Sequence, residues 1–151
     1  EEAQAERYLE QRVEQVAFLA ARLEAIGVPV IRPAGGHAVY VLADRFLPHV
    51  PADQFPGQAL VCALYVEGGV RATEIGTVMF GRTGPDGSQQ RAPRELVRLA
   101  IPRRALSRAH LVYVAEAFER LAARRDALSG LRLVYEPPYL RHFTASFESA
   151  V

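Results

Sequence analysis

One stretch limits what this chain can fold into more than any other. Residues 95–104 set a single arginine, Arg98, among Leu96, Val97, Leu99, Ala100 and Ile101, and Pro102 ends the run. A short apolar run closed by proline reads as a strand over 95–101, because proline has no N–H to donate to a further ladder position. Loop-like sequence precedes it and a long helical pattern follows. Arg98 has two readings: its guanidinium points into water from a half-buried strand, or it faces a site where an anion sits.

The flanking segments fit an antiparallel sheet covered by helices. Leu9, Val13, Val16, Ala20 and Leu23 recur at three- and four-residue steps and predict a helix over 3–26, within an opening segment 1–27. Gly27 and Pro29 stop it, and residues 28–31 read as a short edge strand. A turn at 33–36 leads into a strand over 37–43. Residues 44–50 read as a short helical turn, and a second helix opens at 51–55 and ends at Gly68 and Gly69. Cys62 within it reads as a buried, inert thiol. Residues 70–76 alternate as a strand, with 77–81 continuing extended after a bend at Gly76. Residues 82–93 read as an exposed loop. Ser107 caps a helix reaching about residue 128, residues 131–135 form a strand, and 139–147 an extended tail with Arg141, His142 and Phe143. The expected fold class is α+β, a mainly antiparallel sheet with helices packed on it, in one domain over 1–151.

Composition removes several functions. The net charge of +1 implies neither nucleic acid nor an acidic membrane as partner. No apolar run approaches the roughly 20 residues that a membrane span needs. The single cysteine excludes an internal disulfide and a cysteine-rich metal site, and fits a reducing, cytoplasmic compartment. All 18 residues counted as Lys or Arg are arginine. An arginine-biased genome accounts for that, yet the chemistry follows regardless: without a lysine amine this chain forms no Schiff base of its own. The chain opens in mid-helix without a methionine, so it reads as a fragment or a processed piece.

No single local motif declares a chemistry. What remains is Arg98, the Arg141–His142 pair, His37 beside Gly35 and Gly36, and an acid at Glu74. Arginine grips a carboxylate with two parallel hydrogen bonds, which fixes both its position and its plane. A histidine exchanges protons near neutral pH. Each also has a plain reading: a solvated arginine, a capping histidine, a simple glycine turn. The residues by themselves support a soluble α+β domain with a candidate carboxylate site.

Several stretches, in order along nearly the whole chain, resemble one family. They are Gly35-Gly36-His37-Ala38, residues 47–56, Glu74-Ile75-Gly76, residues 97–103, Tyr135-Glu136-Pro137 and residues 140–145. Together they resemble the C-terminal part of enzymes of the tryptophanase and tyrosine phenol-lyase family, which are pyridoxal-phosphate-dependent β-eliminating lyases. The resemblance implies the small domain of a fold-type I subunit. Pyridoxal phosphate would then be held mainly by a preceding large domain that carries the Schiff-base lysine. It also implies that Arg98 binds the substrate α-carboxylate, that His142 lies near the indole pocket, and that Phe143 closes over the substrate ring. Ile75 stands where the phenol-lyases place an arginine for the ring hydroxyl, so an indole-type enzyme is implied. The implied partners are an amino-acid substrate, the upstream large domain and further copies of the subunit in a homo-oligomer. Three readings stand: a substrate-binding domain of a tryptophanase-like lyase that is catalytically incomplete alone, a stand-alone or split-gene domain that binds an amino acid or a partner protein without catalysis, or a substrate-domain fold retained as an interaction or structural module.

Overall fold

The computed structural model describes residues 6–102 and 105–150; residues 3–5 of the expected first helix and Arg103 lie outside them. The first helix, α1, runs Glu6–Ala25. Gly27 beyond it takes the left-handed backbone (φ 77°) that ends a helix without a Cβ penalty. Strand β1 (Ala38–Leu42) and the one-turn helix α2 (Ala43–Phe46) follow, then α3 (Pro56–Gly68), β2 (Thr73–Ile75) and the turn α4 (Thr77–Phe80). A small ribbon pairs β3 (Arg82–Thr83) with β4 (Gln89–Gln90). Strand β5 (Leu96–Ala100), helix α5 (Arg108–Ala122), strand β6 (Leu131–Tyr135), the turn α6 (Arg141–Thr144) and strand β7 (Ser146–Ser149) complete the chain.

The arginine-bearing run is the centre of the main sheet. β5 lies between β1 and β2, antiparallel to both. Residues 28–31 lie at the outer edge, where a single bridge from Val30 to Val41 stands in place of the expected short strand. Alternation along β5 sends Val97 and Leu99 to one face, where they join Val39 and Val41 of β1 in the core. Helices α1 and α3 lie against the sheet, and α5 packs on both. Val16, Leu19 and Leu23 of α1, Leu60 and Leu64 of α3, and Leu111, Phe118 and Leu121 of α5 close that core. Phe46 and Phe118 meet edge to face at 6.2 Å. The β6–β7 pair is a separate ribbon against α3. The result is the α+β class expected, with antiparallel sheets covered by helices.

Several expectations are corrected. The second helix begins at Pro56, not at 51–55: Ala52–Gln54 is a 3-10 turn and Phe55 is left-handed (φ 51°). Proline disfavours the helical region for the residue before it and is itself suited to the first helical position. Cys62 is exposed, because α3 is apolar nearly all round and only its Leu60 and Leu64 side meets the core. Leu9 and Val13 extend the apolar stripe of α1 past the core and are exposed. Residues 77–80 are helical, held by carboxylates described below. The 82–93 loop contains the β3–β4 ribbon, its turn closed where Asp86 accepts from the Ser88 N–H at 3.0 Å and Gly87 takes φ 80°. The tail is not extended throughout: α6 is a helical turn, and only β7 after it is strand. α5 also ends at Ala122, with a 3-10 turn over Arg125–Ala127 in place of its expected last turns. Ser107 caps α5 as expected, its N–H donating to His110 Nδ1 at 3.0 Å.

Candidate functional site

The face of the sheet turned away from the helices carries Arg98. Residues opposite one another in an antiparallel pair share a face, so Tyr40 and Thr73, the cross-strand partners of Arg98, lie beside it. Ile75, paired with Leu96, lies on the same face. The Arg98 side chain is half-buried, and among the described residues it has no hydrogen-bond or ion-pair partner. Next to it the Tyr40 hydroxyl and His37 Nε2 are 3.4 Å apart. The glycine turn before β1 is tied to α1, since Arg12 Nε donates to the Gly36 carbonyl at 2.9 Å.

A cavity of about 720 Å³ opens at the β2 edge, between α3 and α6. Thr73, Glu74, Arg71, Cys62, His142 and Phe143 line it. The His142 and Phe143 rings stack obliquely, with centroids 4.1 Å apart. Cys62 is exposed at its surface, yet partial desolvation against this wall pushes its thiol up from its ordinary value, and a hydrogen bond from Gln58 opposes that. The four residues singled out in sequence thus fall into two pairs. Ile75 and Arg98 share the open sheet face, His142 and Phe143 share the cavity, and Arg98 is not in the cavity wall. Thr73 joins the pairs, because it stands beside Arg98 on the sheet and also borders the cavity.

Behind the cavity, buried charge holds α4. Glu74 and Glu95 are 5% and 4% exposed. Glu74 accepts from the Val78 and Met79 N–H groups at 3.1 and 3.0 Å, and Glu95 Oε1 accepts from Thr77 N–H at 3.0 Å. These are the first N–H groups of a helical turn, which have no partner within it. Burial, and then the neighbouring Glu95, raise the Glu74 carboxyl to about 7 against the opposing backbone hydrogen bonds. Burial raises Glu95 as well, with Asp44 adding to it. At the other end of α4, the Arg141 guanidinium, 1% exposed, donates to the Thr77 carbonyl and to the Val78 carbonyl at 3.0 Å. It also pairs with Glu136 Oε1 at 2.8 Å. Partial burial pushes the Glu136 carboxyl up, but the Thr83 hydroxyl and Arg141 outweigh it and hold it below its ordinary value. Sequence reasoning singled out Glu74 and Arg141 without this role, and it missed Glu95. An acid inside an apolar strand was the available signal for both glutamates.

Among the described residues no group of three or more His, Cys, Asp or Glu is arranged to hold a metal ion. No helix among them is long and apolar enough to cross a membrane.

No family model matches the chain. Individual relatives do. The chain is 57% identical to a tryptophanase of Hyphomonas neptunium over 143 residues, 95% of this chain and 31% of that protein. It is 54% identical to a tryptophanase of Rhodobacter capsulatus, again over 95% of this chain and 31% of the relative. It is 50% identical to a tyrosine phenol-lyase of Pasteurella multocida over 93% of this chain and 31% of that protein. The chain spans about a third of the length of these curated relatives, and nearly all of it is matched. It belongs, as a partial domain, to the tryptophanase and tyrosine phenol-lyase family.

Proposed function

We propose that these 151 residues are the substrate-binding small domain of a pyridoxal-phosphate-dependent β-eliminating lyase that converts tryptophan to indole, pyruvate and ammonia. The observation that carries the reading is Arg98: a half-buried guanidinium without a partner among the described residues, on an open sheet face, one strand from the cavity rim. A cation in that setting binds a carboxylate well, because the desolvation cost is already partly met by the fold and both N–H groups of the fork are free. Arg98 fixes the plane of the amino-acid carboxylate. His142 and Phe143 present a ring edge and face to the substrate side chain. Ile75 offers that ring an apolar neighbour, which suits indole and leaves a phenol hydroxyl without a hydrogen bond.

Pyridoxal phosphate does not fit this chain as a resident group: there is no lysine amine to hold it. No bond-making step is therefore assigned to these residues. They bind and orient, and the cofactor chemistry belongs to the remaining two-thirds of the parent protein. The same reading carries a cytoplasmic, oligomeric enzyme in which this domain meets an upstream large domain.

The test is product formation. The full-length protein supplied with pyridoxal phosphate should release indole from tryptophan faster than phenol from tyrosine. The 151-residue chain alone should release neither. Phenol as the faster product would refute the substrate assignment, and turnover by the isolated chain would refute its incompleteness.

A further inference from the structure

The α4 turn links two buried features that the binding reading does not use. At its start, Glu74 Oε1 and Glu95 Oε2 converge: each lies 2.6 Å from the point where a Cβ on Gly76 would sit. Glu95 Oε2 is buried and has no hydrogen-bond partner among the described residues. At its end, the carbonyls of Thr77 and Val78 receive the guanidinium of Arg141. Arg141 opens α6, and the next two residues are His142 and Phe143 in the cavity wall.

We propose that Glu74 and Glu95 share one proton and act as a positioning pair, setting the His142–Phe143 wall of the cavity through α4 and Arg141. The role of that wall rests on the binding function proposed above; the shared proton does not. Two ionised carboxylates packed this closely repel one another, and one oxygen is left without a donor. A single proton supplies that donor and removes the repulsion. The groups around the pair favour it. Asp44 of α2 adds negative charge near Glu95. Arg71, Cys62 and His142 line the cavity that Glu74 borders. Arg141 of α6 is occupied by the α4 carbonyls, Gln89 and Glu136. Burial and the Glu95 charge bring Glu74 to about 7, so the pair changes state in the neutral range. When the proton leaves to water, the two anions push apart across Gly76. The N–H groups of Thr77, Val78 and Met79 follow the oxygens they bind, and the carbonyls that hold Arg141 follow them.

The experiment uses the full-length protein and has two arms. Infrared difference spectra between about pH 6 and about pH 8 should show a protonated-carboxyl band at the lower pH in the wild type. That band should be lost in Glu74→Gln and in Glu95→Gln. In parallel, the KM for tryptophan should show an ionisation in the same range in the wild type, absent from both variants, with kcat changing less than KM. No band in the wild type, or a band that persists in both variants, overturns the shared proton. A band assigned to the pair with an unaltered KM profile overturns the positioning role. Absence of indole formation by the wild type refutes the proposed function and leaves the infrared result to decide the proton.

Discussion

Replacing Arg141 by methionine should cost far more stability than a surface arginine would. The wild-type guanidinium is 1% exposed and serves four acceptors: the Thr77 and Val78 carbonyls, Gln89 Oε1 and Glu136 Oε1. It also sits 5.8 Å from the centre of the Phe55 ring. Methionine fills similar space but donates nothing. A buried acceptor left without a partner costs about 1–3 kcal/mol. The Thr77 carbonyl keeps the Gly81 N–H at 2.9 Å, so the Val78 carbonyl is the buried acceptor left bare, whereas the Glu136 side chain is 23% exposed and regains water. The bare Val78 carbonyl at about 1–3 kcal/mol and the lost, partly wet pair with Glu136 at about 1 kcal/mol together give about 2–4 kcal/mol. Arg141→Lys should lose about half of that, since an ammonium cannot reproduce the fork that reaches both carbonyls and the carboxylate. Glu136→Gln should cost about 1 kcal/mol, because the amide oxygen still accepts and the group is partly wet. Equilibrium urea unfolding followed by circular dichroism reads all three. A loss below about 1 kcal/mol for Arg141→Met would refute the view that Arg141 bolts α6 to α4.

Three further outcomes follow from the same geometry. Glu74 has a folded-state carboxyl near 7 against an ordinary 4.5, so the unfolded chain ionises first as pH rises. Stability is then highest below about pH 4.5 and falls by about 3 kcal/mol by about pH 7 through this group; Glu74→Gln should flatten that part of the pH–stability curve, and an unchanged slope would contradict the assignment. Gly76→Ala should destabilise by about 1–3 kcal/mol, because its Cβ meets a carboxylate oxygen of Glu74 and of Glu95 at 2.6 Å; a neutral effect in urea would show that the two carboxylates do not converge there. Ile75→Arg should raise the ratio of phenol-forming to indole-forming activity in the full-length protein, and an unchanged ratio would remove Ile75 from the ring site.

The regular elements were legible because their signals are local. Pro102, Gly27, Gly69 and the apolar alternation of β5 each act within a few residues of the structure they end or build. The α4 and α6 turns were not, and for a common reason. Thr77 to Phe80 are apolar or β-branched and read as extended. What makes them helical is a carboxylate from Glu95, eighteen positions away, together with Glu74. Arg141 reads as part of a polar tail until its partners, 52 to 64 positions earlier in the chain, bury it. Cys62 was misread because nothing local distinguishes the core side of an evenly apolar helix from its cavity side. The candidate site was half legible: residue types pointed to Arg98 and His142, but only the fold shows that one lies on the sheet face and the other in the cavity, with Thr73 between them.

The central claim is that Arg98 receives the substrate carboxylate, and one comparison tests it most directly. In the full-length protein, Arg98→Ala should raise the KM for tryptophan by roughly tenfold to hundredfold, the loss expected for one charge-assisted hydrogen-bond clamp of about 1.5–3 kcal/mol. Thermal stability should stay nearly unchanged, because Arg98 has no partner among the described residues. An unchanged KM with the protein folded would contradict the account.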